Sequence, residues 1–313
     1  MAMAKIISLF AVYLSIFLFG MTVMRIGLFN ISHEKMKHVI KRLTINPFSG
    51  FLVGIVVTAL LQSSSAVMII TIGLVATGYI NFKQSIGIIL GTNIGTTFTT
   101  EFITIDLEAA ILPLIIIGFL FLFTNNIKLF STGAIAFGLG CLFVAMNGFE
   151  QLAEPLSLIP SVQSFLEITN KSGIFGVGLG TFLTAIIQSS TATTGIVMGF
   201  MNENVLSLQA GIAIILGSNI GTCITAFLAS IGASHEAKLT AYAHIWLNVL
   251  GVAIFYPFIK SLGTIAELLT TIPDVQLAHV SVIFNVICSL IALPLTGLIA
   301  SFIIRIHSTK KIA

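Results

Sequence analysis

The chain has 313 residues, 57% of them hydrophobic and only 8% charged, with 14 Lys+Arg against 11 Asp+Glu and a mean hydropathy of +1.10. A soluble domain carries roughly a quarter charged residues, so this chain cannot clothe a water-soluble globule, and it lacks the dense basic face that nucleic-acid binding requires. Disorder is excluded by the apolar content, and helix-length apolar runs favour an all-α integral membrane protein in a lipid bilayer over an outer-membrane barrel.

In chain order, Lys5 precedes an apolar run from Ile6 to Met24 that Arg25 ends. No small-x-small cleavage site follows, so the run reads as an uncleaved membrane helix. The apolar segments are 6–28, 51–80, 84–103, 109–124, 128–147, 173–201, 205–231, 239–260 and 280–304. Residues 30–49 and 148–172 read as longer polar connections, and Lys35–Arg42 as a solvated or headgroup-facing basic turn. Cys141, Cys223 and Cys288 lie inside apolar segments without metal-ligand spacing and read as small buried hydrophobes.

The chain repeats itself. Residues 51–102 laid over 177–228 match at 19 of 52 positions without a gap, and two polar blocks coincide. Gln62-Ser63-Ser64-Ser65 faces Gln188-Ser189-Ser190-Thr191, and Gly91-Thr92-Asn93-Ile94-Gly95-Thr96 faces Gly217-Ser218-Asn219-Ile220-Gly221-Thr222. Membrane composition makes Ile and Leu matches cheap, but it does not align two polar blocks at one offset. The expected division is a first repeat over 1–124, a second over 125–260, and an extra membrane helix with a basic tail over 261–313.

Segments 51–80 and 173–201 are too long for one upright span of about 20 residues and too short for two. Each carries its hydroxyl and amide block in the middle, which fits a re-entrant hairpin. With both as hairpins, one side of the membrane collects eleven basic residues and the other three, and that other side also collects nine of the eleven acids. This is a positive-inside pattern with the N-terminus outside. It makes the repeats antiparallel, and inverted repeats with broken helices meeting at the midplane are the architecture of secondary transporters.

Each hairpin tip starts a descending helix, and the free N–H groups and positive dipole end of a first helical turn suit an anion. Thr193 and Thr194 extend the second block. The glycines of the second motif, in 84–103 and 205–231, permit unwinding that would free carbonyls beside the Asn and Thr oxygens. Such hard oxygen ligands suit sodium. No carboxylate lies at the middle of any expected span, which favours sodium over protons. The same glycines also fit a plain packing face, and His244, Trp246 and Asn248 read as a satisfied polar helix face. No nucleophile–base set or metal triad occurs at membrane depth, so an enzyme is not expected.

At these motifs the sequence resembles the type II sodium/phosphate cotransporter family, whose signature is a duplicated QSS block, each followed by a G-x-N-I-G-T block. It is similar to the compact bacterial members, and no PhoU-like domain is expected. The resemblance implies sodium-coupled transport of inorganic phosphate by alternating access in the plasma (inner) membrane, with no cofactor beyond the co-transported Na+. It places phosphate at Gln62, Ser63, Ser64, Ser65, Gln188, Ser189, Ser190 and Thr191. Sodium would be served by Gln62, Thr92, Asn93, Thr96, Gln188, Thr193, Ser218, Asn219 and Thr222. Animal members have a basic residue before the first G-x-N-I-G block, and Lys83 stands nearest as an anion contact. The residues themselves leave open another oxyanion, sulfate or a carboxylate, and a non-transporting subunit of the same fold.

Overall fold

A computed structural model describes residues Met3–His307, leaving out the side chains of 32–38 and 40–43. The basic turn at Lys35–Arg42 and the tail lysines Lys310 and Lys311 therefore fall outside the described side chains. Every regular element among the described residues is helical. The chain opens with α1 (Met3–Leu43), α2 (Pro47–Leu61), α3 (Ser64–Ala76), α4 (Phe82–Phe102) and α5 (Glu108–Leu122). It continues with α6 (Ile127–Ser157), α7 (Pro160–Lys171), α8 (Gly173–Ile187), α9 (Ser190–Asn202) and α10 (Leu208–Gly221). Last come α11 (Cys223–Ala229), α12 (His235–Phe255), a 3-10 turn, α13 (Ile259–Leu269), α14 (Pro273–Ala292) and α15 (Thr296–His307). Among the described residues, five stretches are long and apolar enough to cross a membrane: Met3–Ile31, Ile127–Ser157, Leu208–Ala229, His235–Leu269 and Pro273–Ala292.

The chain forms two compact units. One comprises Met1–His33, Thr99–Gly221 and Tyr256–Ser281, and the other Glu34–Phe98, Thr222–Phe255 and Val282–Ala313. In the first, α1 packs on α6 at glycine: a Cβ on Gly20 would sit 2.7 Å from that of Cys141, and one on Gly27 would strike the Ser131 backbone. Helices α5 and α6 close on each other at Gly118 and Phe137.

In the second unit, Asn46 and Ser49 form a capping box around Pro47 at the start of α2, satisfying N–H groups that a helix start leaves open. Asn81 and Gln84 do the same for α4, at 2.7 and 2.9 Å. The Gln84 side chain also donates to the carbonyls of Thr44 and Ile45, fixing the α1–α2 corner to α4. The Trp246 indole N–H donates to His307 Nε2 at 3.0 Å, and the His307 ring stacks on Tyr242 at 3.9 Å. These contacts join α12 to α15.

Several expectations need correcting. The polar stretch 30–49 is mostly helix, since α1 runs to Leu43, and 148–172 is filled by the end of α6 and by α7. Polarity marks contact with water, and a helix satisfies its own backbone there as well as a loop does. The segment 280–304 is two helices, interrupted at Leu293–Leu295 around Pro294, whose ring cannot continue the ladder. The unwinding expected at Gly91–Thr97 is absent: α4 is continuous from Phe82 to Phe102. In the second copy the helix assignment pauses only at Thr222, whose φ −61° and ψ −25° remain helical.

The glycines serve packing instead. A Cβ on Gly91 would collide with the Phe51 carbonyl, and one on Gly95 would sit 2.5 Å from Thr58 Cβ. In the other unit a Cβ on Gly217 would collide with the Val177 carbonyl, and one on Gly221 would sit 2.5 Å from the Thr181 carbonyl and 2.7 Å from Thr184 Cβ. The same register thus brings α4 against α2 and α10 against α8, backbone to backbone.

Gly91→Ala and Gly217→Ala should each destabilise by about 1–3 kcal/mol despite the better helix propensity of alanine. Gly178→Ala, where an added Cβ meets nothing within 4 Å, should leave the unfolding temperature in detergent unchanged or raised.

Candidate functional site

The two Gln-Ser blocks are the breaks between paired helices, and their local geometry is the same. Gln62 ends α2 in the left-handed conformation (φ 52°, ψ 32°), and Gln188 ends α8 likewise (φ 56°, ψ 27°). Each glutamine N–H bonds back at 2.8 Å, to the carbonyl of Thr58 or Thr184. Only one other non-glycine residue, Asn204, has positive φ among those described. A non-glycine residue in this region costs free energy that its surroundings must offset, yet the same residue type bears it at both breaks.

The serine that follows caps the next helix. Ser63 Oγ accepts from Ala66 N–H and Ser189 Oγ from Ala192 N–H, each at 3.2 Å. The amides of Ser64 and Ser65, and of Ser190 and Thr191, precede the first carbonyl their helix can bond. The result is a pair of N–H donors among hydroxyls at the positive end of each helix. Ser64 and Thr191 are buried; Gln62, Ser63, Ser65, Ser189 and Ser190 are half-buried, and Gln188 is exposed.

Across the second break the Thr184 hydroxyl donates to that of Thr193 at 2.9 Å. Nine residues of straight helix would hold these side chains about 13 Å apart, so the chain bends at the break and brings Thr184 and Thr193 together. Position 67, the counterpart of Thr193, is valine, and the Thr58 hydroxyl is buried without a partner. Thr181 ties α8 to α10 by bonding the carbonyls of Val177 and Gly217 at 2.8 and 3.0 Å.

The second motif lies on the helices that the glycines press against α2 and α8. Thr92 and Thr96 donate to the carbonyls of Ile89 and Thr92, and Ser218 donates to Ile215. Asn93 and Asn219 are half-buried, as are Thr96 and Thr222, while Thr92, Thr193 and Ser218 are buried. Thus the second unit gathers Gln62, Ser63, Ser64, Ser65, Thr92, Asn93 and Thr96 on α2–α4. The first unit gathers Gln188, Ser189, Ser190, Thr191, Thr193, Ser218 and Asn219 on α8–α10. Lys83 is not brought to Asn93. It is exposed on the first turn of α4, beside Gly297 of α15, and ten residues of helix separate the two by about 15 Å.

Sequence reasoning passed over the acids of the first unit as a group. Asp106, Glu108, Glu150 and Asp274 line one cavity of about 470 Å³ with Asn147 and Asn202. Glu101 pairs with His279 at 2.9 Å. The crowding of acids outside the expected span centres was the available signal.

Apolar membrane-length helices, beside shorter helices whose breaks display donors and hydroxyls, fit a multi-pass membrane protein of the transporter class. The chain belongs to the Na+/Pi-cotransporter family, whose model matches residues 16–151 and 157–278. It is 43% identical over 289 residues to "Uncharacterized protein YqeW" of Bacillus subtilis, covering 92% of this chain and 94% of that one. It is 24% identical over 291 residues to "Putative inorganic phosphate export protein YjbB" of Escherichia coli. That match covers 92% of this chain, which spans about half (53%) of the relative's length. "Sodium-dependent phosphate transport protein 2A" of Rattus norvegicus is 30% identical over 90 residues, 28% of this chain and 14% of its own. No solved structure matches the chain.

Thr58→Val removes an unpartnered buried hydroxyl and should raise stability by about 1 kcal/mol, whereas Thr184→Val breaks a hydroxyl pair and should lower it by about 1 kcal/mol. Denaturant or thermal unfolding of the two purified variants tests the difference in sign.

Proposed function

We propose that the protein carries inorganic phosphate across the plasma membrane, coupled to sodium, by alternating access. The observation that carries this reading is the duplicated break: a left-handed glutamine and a capping serine present free N–H donors and hydroxyls twice, in the same geometry. These groups suit a tetrahedral oxyanion, which needs many donors and no fixed cation when sodium travels with it. Phosphate is assigned to Gln62–Ser65 and Gln188–Thr191. Sodium is assigned to oxygens of Gln62, Thr92, Asn93, Thr96, Gln188, Thr193, Ser218, Asn219 and Thr222.

The repeats are read as inverted and the broken segments 51–80 and 173–201 as re-entrant. Sequence identity at one offset, the shared glycine register and the charge asymmetry support this. The acid-lined cavity of the first unit would raise the local sodium concentration. The relatives' names bear on direction: YjbB is named for phosphate export and the 2A protein for sodium-dependent transport. Flux should therefore be followed with the sodium gradient imposed both ways.

In proteoliposomes, a sodium gradient should drive labelled phosphate down the direction of sodium flow, and excess unlabelled sulfate or carboxylate should not compete. Gln188→Ala and Ser64→Ala should each lower the flux about tenfold or more, equivalent to about 1.4 kcal/mol, with normal folded yield. Flux indifferent to sodium, or to both substitutions, rejects the proposal.

A further inference from the structure

The polar face of α12 that sequence reasoning set aside has a defined job in the second unit. Two side-chain pairs join α4 to α12 at one separation of 155 residues. Ser85 Oγ meets Thr240 Oγ1 at 3.0 Å, and Asn93 Nδ2 donates to Asn248 Oδ1 at 3.2 Å. Equal separations at two points eight residues apart mean that the helices run parallel and in register. Asn248 is 3% exposed, and its own Nδ2 donates to the His244 carbonyl at 2.8 Å.

The direction of these bonds follows from chemistry, although oxygen and nitrogen of an amide look alike in outline. A backbone carbonyl only accepts, so Asn248 must turn its NH₂ toward His244. Its oxygen then faces Asn93 and only accepts, so Asn93 must offer its own NH₂. The Asn93 oxygen is left for whatever occupies the half-buried space beside α4. The matching residue Asn219 also directs its NH₂ to a carbonyl, that of Ile215 in its own helix, at 3.0 Å. Both amides are thus committed through nitrogen, by different partners.

We propose that Asn248 is a positioning residue that sets the polarity of the Asn93 amide, so that Asn93 turns its oxygen toward a monovalent cation. This rests on the reading of Asn93 as part of the transport site and sharpens it: Asn93 governs sodium, not phosphate. Asn248 touches neither ion. Its effect on the cation is read through the orientation of the Asn93 side chain; Asn248 also hydrogen-bonds the buried Cys223 side chain.

Asn248→Leu keeps the volume, and the His244 carbonyl retains its helical N–H partner, but the Asn93 amide becomes free to rotate. The half-saturating sodium concentration for phosphate flux should rise about fivefold, the scale of one weakened neutral ligand. Half-saturation by phosphate at high sodium should change less than twofold. The decisive variant is Asn93→Asp combined with Asn248→Leu. A carboxylate presents oxygen whichever way it turns, so the pair should return half-saturation by sodium to within about twofold of the unsubstituted protein. A packing defect at position 248 would not be rescued from position 93.

Sodium-dependent thermal stabilisation of the purified protein, measured against choline chloride, should follow the same order and needs no flux. If the unsubstituted protein responds to sodium but Asn248→Leu does not shift that response, or the double variant fails to restore it, the positioning role is wrong and the transport reading stands. If Asn248→Leu moves the phosphate dependence instead, Asn93 serves the anion and the proposal is overturned. If the unsubstituted protein responds to sodium in neither assay, the transport reading falls and this inference with it.

Discussion

The constraint on which the rest depends is the contact of bare backbone with bare backbone at Gly91 and Gly95 on α2, and at Gly217 and Gly221 on α8. Van der Waals packing drives helix association in a membrane, and only small residues let two axes come this close. The contact sets the second motif against the helix that ends in the left-handed glutamine. It also places Thr58 and Thr184, one turn before each break, in the groove beside Gly95 and Gly221. The breaks therefore arise on helices packed closely on a neighbour, and each left-handed glutamine is tied back to its helix by the bond from its N–H to the Thr58 or Thr184 carbonyl.

The internal repeat located both breaks to the Gln-Ser blocks, because polar side chains inside an apolar run have few places to go and two copies at one offset remove coincidence. The fate of the glycines was not legible. Gly91 and Gly95 weaken a helix and equally permit close packing, and what decides is the Phe51 carbonyl, forty residues earlier. The helical course of 148–157 and 160–171 was hidden because composition reports wetness, not conformation. The link from Asn93 to Asn248 joins positions 155 residues apart. Neither motif nor repeat points to it, since position 122, the repeat counterpart of 248, is leucine.

The two halves share a frame but not its polar wiring. Thr184 has a hydroxyl partner where Thr58 has none, and the amide of Asn93 reaches Asn248 where that of Asn219 donates to the Ile215 carbonyl. Duplication explains the common backbone, and divergence of single side chains is enough to make the two sets of oxygens unequal. Under the proposed sodium-coupled phosphate transport, unequal sets would let the two ions be treated differently, where a symmetric pair would treat each alike at both places.

The chain contains one tryptophan. Trp246 lies edge-on to Phe302 at 5.5 Å and donates its indole N–H to His307, so the fluorophore is clasped between α12 and α15. Its emission colour and quenching report whether the last helix stays seated, without any dye or engineered label. Because α12 also carries Asn248, the same intrinsic light offers an optical readout, over milliseconds, of motion in the helix that orients Asn93.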